Sequence, residues 1–231
     1  MKIAVINFSG NVGKSTIARH LLAPRIPDAE VLTVETINSD GTDNEGVKGK
    51  DFNNVQEAMQ LLDGAVVDIG ASNVEDVMTV LRRYRKSHED FDYYVVPTVP
   101  EKKQQRDTIS TINALAELGV PAKKIRIVFN MVESDDDPAR VFAALFDYHA
   151  NEKCFTLRPD AVLYVNEIYT RLNGAAVDLR EILNDETDYK AKIKEASSQD
   201  EKLRYAQSLS IQRLAAGVIE EHDAVFKALL K

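Results

Sequence analysis

The sequence lacks the residues that most enzyme and metal sites of small proteins depend on. Its 231 residues contain one cysteine, Cys154, so an intramolecular disulfide is excluded, and we expect this residue to be an inert, partly buried thiol. The four histidines are scattered along the chain without the short spacings of a metal site. No GxSxG motif is present, and no nucleophile signature surrounds Cys154. The sequence therefore offers no support for chemistry of these kinds.

Long apolar runs and an excess of positive charge are also missing. No stretch approaches the roughly 20 apolar residues that span a bilayer. The N-terminal segment MKIAVINFSG has no small-residue cleavage site of a signal peptide, so we expect a cytoplasmic protein. Lys and Arg total 29 against 37 for Asp and Glu, a formal net charge of −8. This balance excludes a broad cationic surface, so affinity for DNA would require a local basic patch or a basic partner.

What the sequence does contain is a series of short runs rich in Val and Ile. They lie at residues 3–6, 31–34, 65–69, 93–96 and 125–129. Each run is almost continuously apolar, which is typical of strands that are covered on both faces. Between them, residues 15–23, 74–84 and 108–118 carry apolar residues at helical spacing. The alternation predicts an α/β fold with a doubly wound, mostly parallel sheet and helices on both faces.

We expect a single domain over residues 1–231. Residues 185–202 are dominated by Asp, Glu, Lys and Ser and contain few apolar residues, which predicts an exposed insertion. A helical pattern returns over residues 203–230, with acidic residues in its middle. We favour a terminal helix packed on the sheet, and a helix that contacts a membrane or a partner stays open as the alternative.

A candidate phosphate-binding loop, SGNVGKST, follows the first predicted strand. Such a loop needs glycines that let the backbone amides turn inward, a helix N-terminus, a lysine and a hydroxyl for magnesium. Gly10 and Gly13 are expected to form the bend, Lys14 to reach the β- and γ-phosphates, and Ser15 to bind Mg²⁺. The alternative is a strand-to-helix turn that ends in Lys-Ser by chance. The expected nucleotide-binding residues are Ser9, Gly10, Asn11, Val12, Gly13, Lys14, Ser15 and Thr16.

Residues 7–16, NFSGNVGKST, resemble the deviant Walker A loop of the ParA and MinD family of ATPases. That loop typically reads NxKGGxGK followed by Thr or Ser. Two positions differ, because Asn11 stands where the second glycine usually lies and Ser9 stands where the family has its signature lysine. In the family this lysine crosses the dimer interface, so the contact lacks its usual residue here. The matching positions are Asn7, Gly10, Val12, Gly13, Lys14 and Ser15.

The resemblance continues, in the expected order, to about residue 180. In the segment VVDIGAS, Asp68 matches the family aspartate that holds magnesium through water, and Gly70 matches a switch hinge. Asn130, at the end of IRIVFN, resembles the position that reads the edge of adenine. An Asp at a strand end can also cap a helix, and an Asn there can form a turn, so these alternatives stay open.

The segment VETINSDG resembles the first switch of the family only in part. Glu35 fits the first acid of the usual Asp-x-Asp pair, whereas Ile37 occupies the position that normally orients the attacking water. Asp40 lies close enough to take over this catalytic role, although an Asp beside Gly41 is more often a turn former. The expected catalytic set is therefore Lys14, Asp68 and Asp40, with Ser15 and Asp68 as the metal-binding residues.

The resemblance implies an ATPase that uses Mg²⁺ and ATP, forms a nucleotide-dependent homodimer and helps to partition or position DNA. The short chain and its loop look most similar to plasmid stability proteins of the StbB type, which are similar to TraL-type conjugation proteins. This implies a small DNA-binding partner protein and only weak or indirect DNA contact by the chain itself. Two alternatives stay open: a nucleotide-gated binding module with little hydrolysis, and a small-molecule kinase or ligase of the same fold.

Overall fold

A computed structural model describes residues 1–34, 52–172 and 178–231. Its centre is a six-stranded sheet in the order β2-β3-β1-β4-β5-β6, in which every neighbouring pair is parallel. All five predicted strands are confirmed, and the sixth was missed because it has only three residues. The strands are β1 Lys2–Val5, β2 Ala29–Val34, β3 Gly64–Ile69, β4 Tyr93–Thr98, β5 Ile125–Val132 and β6 Val162–Tyr164.

Helices connect the strands and form most of the C-terminal part. The first, α1 (Lys14–Thr16), continues as a π-helix over Ile17–Leu22 and a 3₁₀ turn over Ala23–Arg25. None of the helices in the described ranges is long and apolar enough to cross a membrane. The others are α2 Phe52–Gln60, α3 Val74–Arg83, α4 Lys102–Glu117, α5 Pro138–Val141, α6 Ala143–Glu152, α7 Ile168–Arg171, α8 Leu179–Leu183, α9 Tyr189–Glu195 and α10 Gln199–Leu230.

Both faces of the sheet are covered by helices. Successive side chains of a strand point to opposite faces, so β1 contributes to two cores. Ala4 belongs to a core that contains buried residues of α2, α3, α4 and α6. Ile3 and Val5 belong to a second core, built with the π-helical segment and the last turns of α10. The predicted doubly wound α/β fold, with helices on both faces of a parallel sheet, is confirmed.

Contacts divide the chain into two compact units, Met1–Tyr164 with Val225–Lys231, and Val165–Ala224. The second unit has a small core of its own around Ile168, Leu179, Ala215 and Val218. The expectation of one domain over 1–231 stays a prediction, because contact-defined units can still unfold in one cooperative step.

The predicted insertion at 185–202 has no buried residue, and it contains α9. The helix expected at 203–230 begins earlier, at Gln199. Two hydrogen bonds cap its start: the Glu201 amide donates to Ser198 Oγ at 3.2 Å, and the Glu201 carboxylate accepts from the Ser197 amide at 3.0 Å.

Candidate functional site

The loop of residues 9–16 lies at the carboxyl edge of the sheet, directly after β1. The chain leaves β1 toward β2 on one side of the sheet and leaves β4 toward β5 on the other. In open α/β sheets, ligands bind in the crevice at such a reversal of strand order. The helix that follows β1 and the helix that follows β4, α4, cover opposite faces. The loop predicted from the sequence therefore lies where this architecture opens a binding crevice.

Two residues of the loop adopt the left-handed conformation that bends it. Gly13 has φ +82° and forms the N-cap of α1, and Asn11 has φ +56°, which Asn tolerates better than most residues. A Cβ on Gly13 would lie 2.2 Å from Asn130 Nδ2, whereas a Cβ on Gly10 would meet nothing within 4 Å. Gly10 lies within the bend, as expected, but the left-handed conformations are those of Asn11 and Gly13.

Lys14 is folded back beneath the loop. Its ammonium group donates to the Ser9 carbonyl at 2.7 Å and approaches the Asn7 carbonyl at 3.4 Å, and the side chain is buried. Burial lowers the pKa of Lys14, and the nearby Asp68 carboxylate opposes that shift. The ammonium group is thus held by backbone carbonyls that an incoming phosphate oxygen, a stronger acceptor, can replace.

Asp68 is buried near the end of β3, in register with Val5 of β1 and Thr33 of β2. Two parallel neighbours thus fix the carboxylate at the carboxyl edge, close enough to Lys14 for their charges to interact. Ser15 is exposed in α1, and α1 contacts β3. A hydroxyl and a carboxylate are hard oxygen donors, the ligands that Mg²⁺ takes together with water and phosphate oxygens. The donor set fits the predicted magnesium site.

Asn7 is the hub of a buried hydrogen-bond network beneath the loop. Its Nδ2 donates to the Pro97 carbonyl and to Thr108 Oγ1, both at 2.8 Å, and its Oδ1 accepts from the Ser9 amide at 2.7 Å. Beside it, Thr111 Oγ1 accepts from the Phe8 amide at 3.0 Å and donates to the Asp107 carbonyl. The loop is therefore anchored to the end of β4 and to one face of α4.

Sequence reasoning missed the two threonines of this network. Thr108 and Thr111 lie one turn apart on α4 and are fully buried together with Ile112 and Leu115. Two hydroxyls inside the apolar stripe of a predicted helix are the available signal, because a buried hydroxyl requires a hydrogen-bond partner. That signal indicates a buried partner without identifying Asn7 or Phe8.

Asn130 contacts the loop from β5. Its Nδ2 donates to the Val12 carbonyl at 3.0 Å, and the side chain is buried. The next residue, Met131, has φ +56° at a register shift between β5 and β6 and is 45% exposed. The amide of Asn130 therefore fixes the loop backbone, and its role in reading adenine stays a prediction.

The remaining predicted residues separate into two groups. Ser9, at the position where the deviant Walker A loop has its lysine, is buried at 5% exposure. Gly70 has an ordinary negative φ, and its amide donates to the Val34 carbonyl at 2.9 Å. Glu35, Ile37 and Asp40 lie outside the described residues, so the assignment of Asp40 as a catalytic residue stays a prediction.

Comparison with protein-family models and with curated protein sequences finds no match. Solved structures do match in fold. Apo McdA from Cyanothece aligns with 99% of this chain and 98% of its own, at 13% identity and a TM-score of 0.56. The cell division ATPase MinD from Pyrococcus furiosus aligns over 90% and 98%, at 15% identity and a TM-score of 0.52. The ParA of pNOB8 aligns over 96% and 98%, at 13% identity and a TM-score of 0.51.

This chain shares the doubly wound α/β fold of these solved structures. The predicted resemblance to ParA and MinD is confirmed at the level of architecture, over nearly the whole chain. At 12–15% identity the likeness concerns the path of the backbone, so the residues of the loop have to be judged by their own geometry.

The contact between Thr111 and the Phe8 amide generates a stability prediction. Thr111→Val removes the acceptor and leaves a partly buried N–H without its partner, which we expect to lower the free energy of unfolding by about 1–3 kcal/mol. Urea denaturation measures the change. Thr111→Ser, which keeps the hydroxyl, should lose less than half as much. Thr79 Oγ1, like Thr111 Oγ1, donates to the backbone carbonyl four residues earlier in its own helix, but on an exposed surface. Thr79→Val therefore serves as the control and should change little. Equal losses for Val and Ser at 111 would contradict the assigned role.

Proposed function

We propose that this chain binds Mg-ATP in the loop of residues 9–16 and hydrolyses it as an ATPase of the ParA and MinD type. The observation that carries the proposal is the position of Lys14. Its side chain is buried beneath the loop that contains the left-handed residues Asn11 and Gly13, where the order of the strands reverses. Asp68 lies close enough for the two charges to interact. A lysine that is held there by two backbone carbonyls is arranged to exchange them for phosphate oxygens.

Each predicted residue has a defined part in this proposal. The amides of the loop and the N-terminus of the helix that begins at Lys14 surround the phosphates, and Lys14 stabilises the charge of the transferred group. Ser15 would hold Mg²⁺ directly and Asp68 would hold it through water, and the ion supplies charge neutralisation when bound. Asp40 is proposed to orient the attacking water, and Asn130 to read the adenine edge.

The wider role we propose is plasmid stability through DNA partition or positioning, of the StbB type and related to TraL-type conjugation functions. A net charge of −8 disfavours a large DNA-binding face on the chain itself. A small DNA-binding partner protein would then provide the DNA contact, in the cytoplasm. The fold shared with ParA and MinD structures supports this general kind of function.

The first test is Lys14→Ala. Removal of the ammonium group eliminates the principal charged contact to the β- and γ-phosphates, so we expect Mg-ATP affinity to fall by at least roughly 100-fold, with loss of turnover. Isothermal titration calorimetry and phosphate release measure the two effects. Lys103→Ala removes the same charge from an exposed position on α4 and should change neither. An unchanged affinity and rate in Lys14→Ala would refute the site.

The second test concerns association. If ATP brings two chains together, light scattering should report a dimer with Mg²⁺ and a slowly hydrolysed ATP analogue, and a monomer without nucleotide. ADP provides the matched control, because it occupies the same loop without a γ-phosphate. A monomer in all three conditions would argue against a ParA-type mechanism.

One observation favours a second function, a nucleotide-gated binding module with little hydrolysis. Ser9 replaces the lysine that related ATPases extend to their partner, and its side chain is short and buried. Positioned cations at the transferred phosphate contribute strongly to phosphoryl transfer. A single-turnover measurement of bound ATP separates the two functions: conversion to ADP within minutes supports the ATPase, whereas ATP that stays intact for hours while dimers form supports the gated module.

A further inference from the structure

A basic cleft lies at the amino edge of the sheet, opposite to the loop of residues 9–16. Its volume is about 450 Å³, and it is lined by Met1, Asp92, Tyr93, Lys123, Lys124 and Arg126. These residues precede or begin β1, β4 and β5. The four residues of β1 span roughly 13 Å at about 3.3 Å per residue, so the cleft and the candidate nucleotide site lie at separate ends of the strands.

Arg126, the second residue of β5, is the central feature of this cleft. Its side chain is 7% exposed, and its guanidinium carbon lies 5.1 Å from the centre of the Tyr93 ring. Two of its nitrogens, Nε and Nη1, are buried and have no hydrogen-bond partner among the residues that the structure describes. A buried donor left unpaired is destabilising, and more so when it is charged. A ligand that accepts these hydrogen bonds would remove that destabilisation.

The surroundings of Arg126 are electrostatically unusual for a buried cation. Burial lowers its pKa, Tyr93 opposes that shift, and the nearby guanidinium of Arg158 lowers the pKa further. Arg158 Nε is also buried without an acceptor in the described part of the chain. Two adjacent guanidinium groups repel each other unless an anion lies close to both.

The other charged residues of the cleft do not provide the acceptor that Arg126 lacks. Lys124 already donates to the carbonyls of Glu89 and Phe91, at 3.0 and 2.6 Å. The Asp92 carboxylate already accepts one hydrogen bond, from the Lys2 amide at 2.7 Å. Lys123 is exposed and adds positive charge. The cleft therefore has an excess of positive charge within a protein whose net charge is −8.

We propose that this cleft binds a small oxyanion of the phosphate class, with Arg126 as the principal donor and Arg158 and Lys123 as supporting cations. The guanidinium fork matches the spacing of two phosphate oxygens, and neighbouring guanidinium groups suit a doubly charged anion. The cleft volume fits a free phosphate or a small phosphorylated molecule. This site is independent of the ATPase proposal, because it uses none of the residues of the loop.

The test is a titration of the chain with inorganic phosphate, observed by ¹⁵N nuclear magnetic resonance of the arginine Nε–H groups. The Arg126 signal is assigned through its backbone connectivity in the wild-type chain, so the experiment does not depend on the folding of a variant. We expect this signal to shift saturably with phosphate and to stay in place with sodium chloride at the same ionic strength. No shift, or an equal shift with chloride, would overturn the proposal.

Variants identify the residues that bind phosphate. Arg126→Lys keeps the charge and removes the planar fork, so we expect phosphate affinity to fall about tenfold. Arg83→Gln removes a charge from an exposed position at the end of α3 and should leave the affinity unchanged. Because phosphate is also expected to enter the loop of residues 9–16, the titration is repeated in Lys14→Ala. The Arg126 shift should persist there, and its loss would assign the effect to the loop and refute the cleft.

Discussion

The structure of the candidate site depends on one buried side chain, that of Asn7. Both of its amide hydrogens and its carbonyl oxygen are used, and they join the end of β1 to the end of β4, to α4 and to the start of the loop. The two segments joined by the contact to Thr108 are 101 residues apart in the sequence. This network fixes the base of the loop, so that the left-handed residues Asn11 and Gly13 are held in one conformation.

Parallel strands give the sheet two chemically different edges. At the carboxyl edge, Lys14 lies close enough to the Asp68 carboxylate for their charges to interact, at the point where the chain reverses its direction across the sheet. At the amino edge, Arg126 and Arg158 carry donors that no described residue accepts. Positive charge is therefore concentrated at the amino edge, whereas the carboxyl edge combines a lysine with a carboxylate, and the chain as a whole is acidic.

The sequence was sufficient to predict the strands and the loop, because both depend on local patterns. Continuous Val and Ile runs indicate strands covered on both faces, and the order strand, glycine loop and helix indicates a phosphate site. It was insufficient where conformation depends on distant residues. The bend at Asn11, the pairing of Asn7 with Thr108, and the position of Asn130 against Val12 all follow from strand register, which a local pattern does not contain. The early start of α10 was locally encoded by Ser198 and Glu201, and was missed because few apolar residues accompany it.

The central claim is that the loop of residues 9–16 is a nucleotide-binding site poised by a buried lysine. A crystal structure with Mg²⁺ and a slowly hydrolysed ATP analogue tests it most directly. We expect Lys14 Nζ to leave the Ser9 carbonyl for a phosphate oxygen, with Mg²⁺ near Ser15 and Asp68, while the contacts of Asn7 stay unchanged. A nucleotide bound elsewhere, with Lys14 still on Ser9, would contradict it.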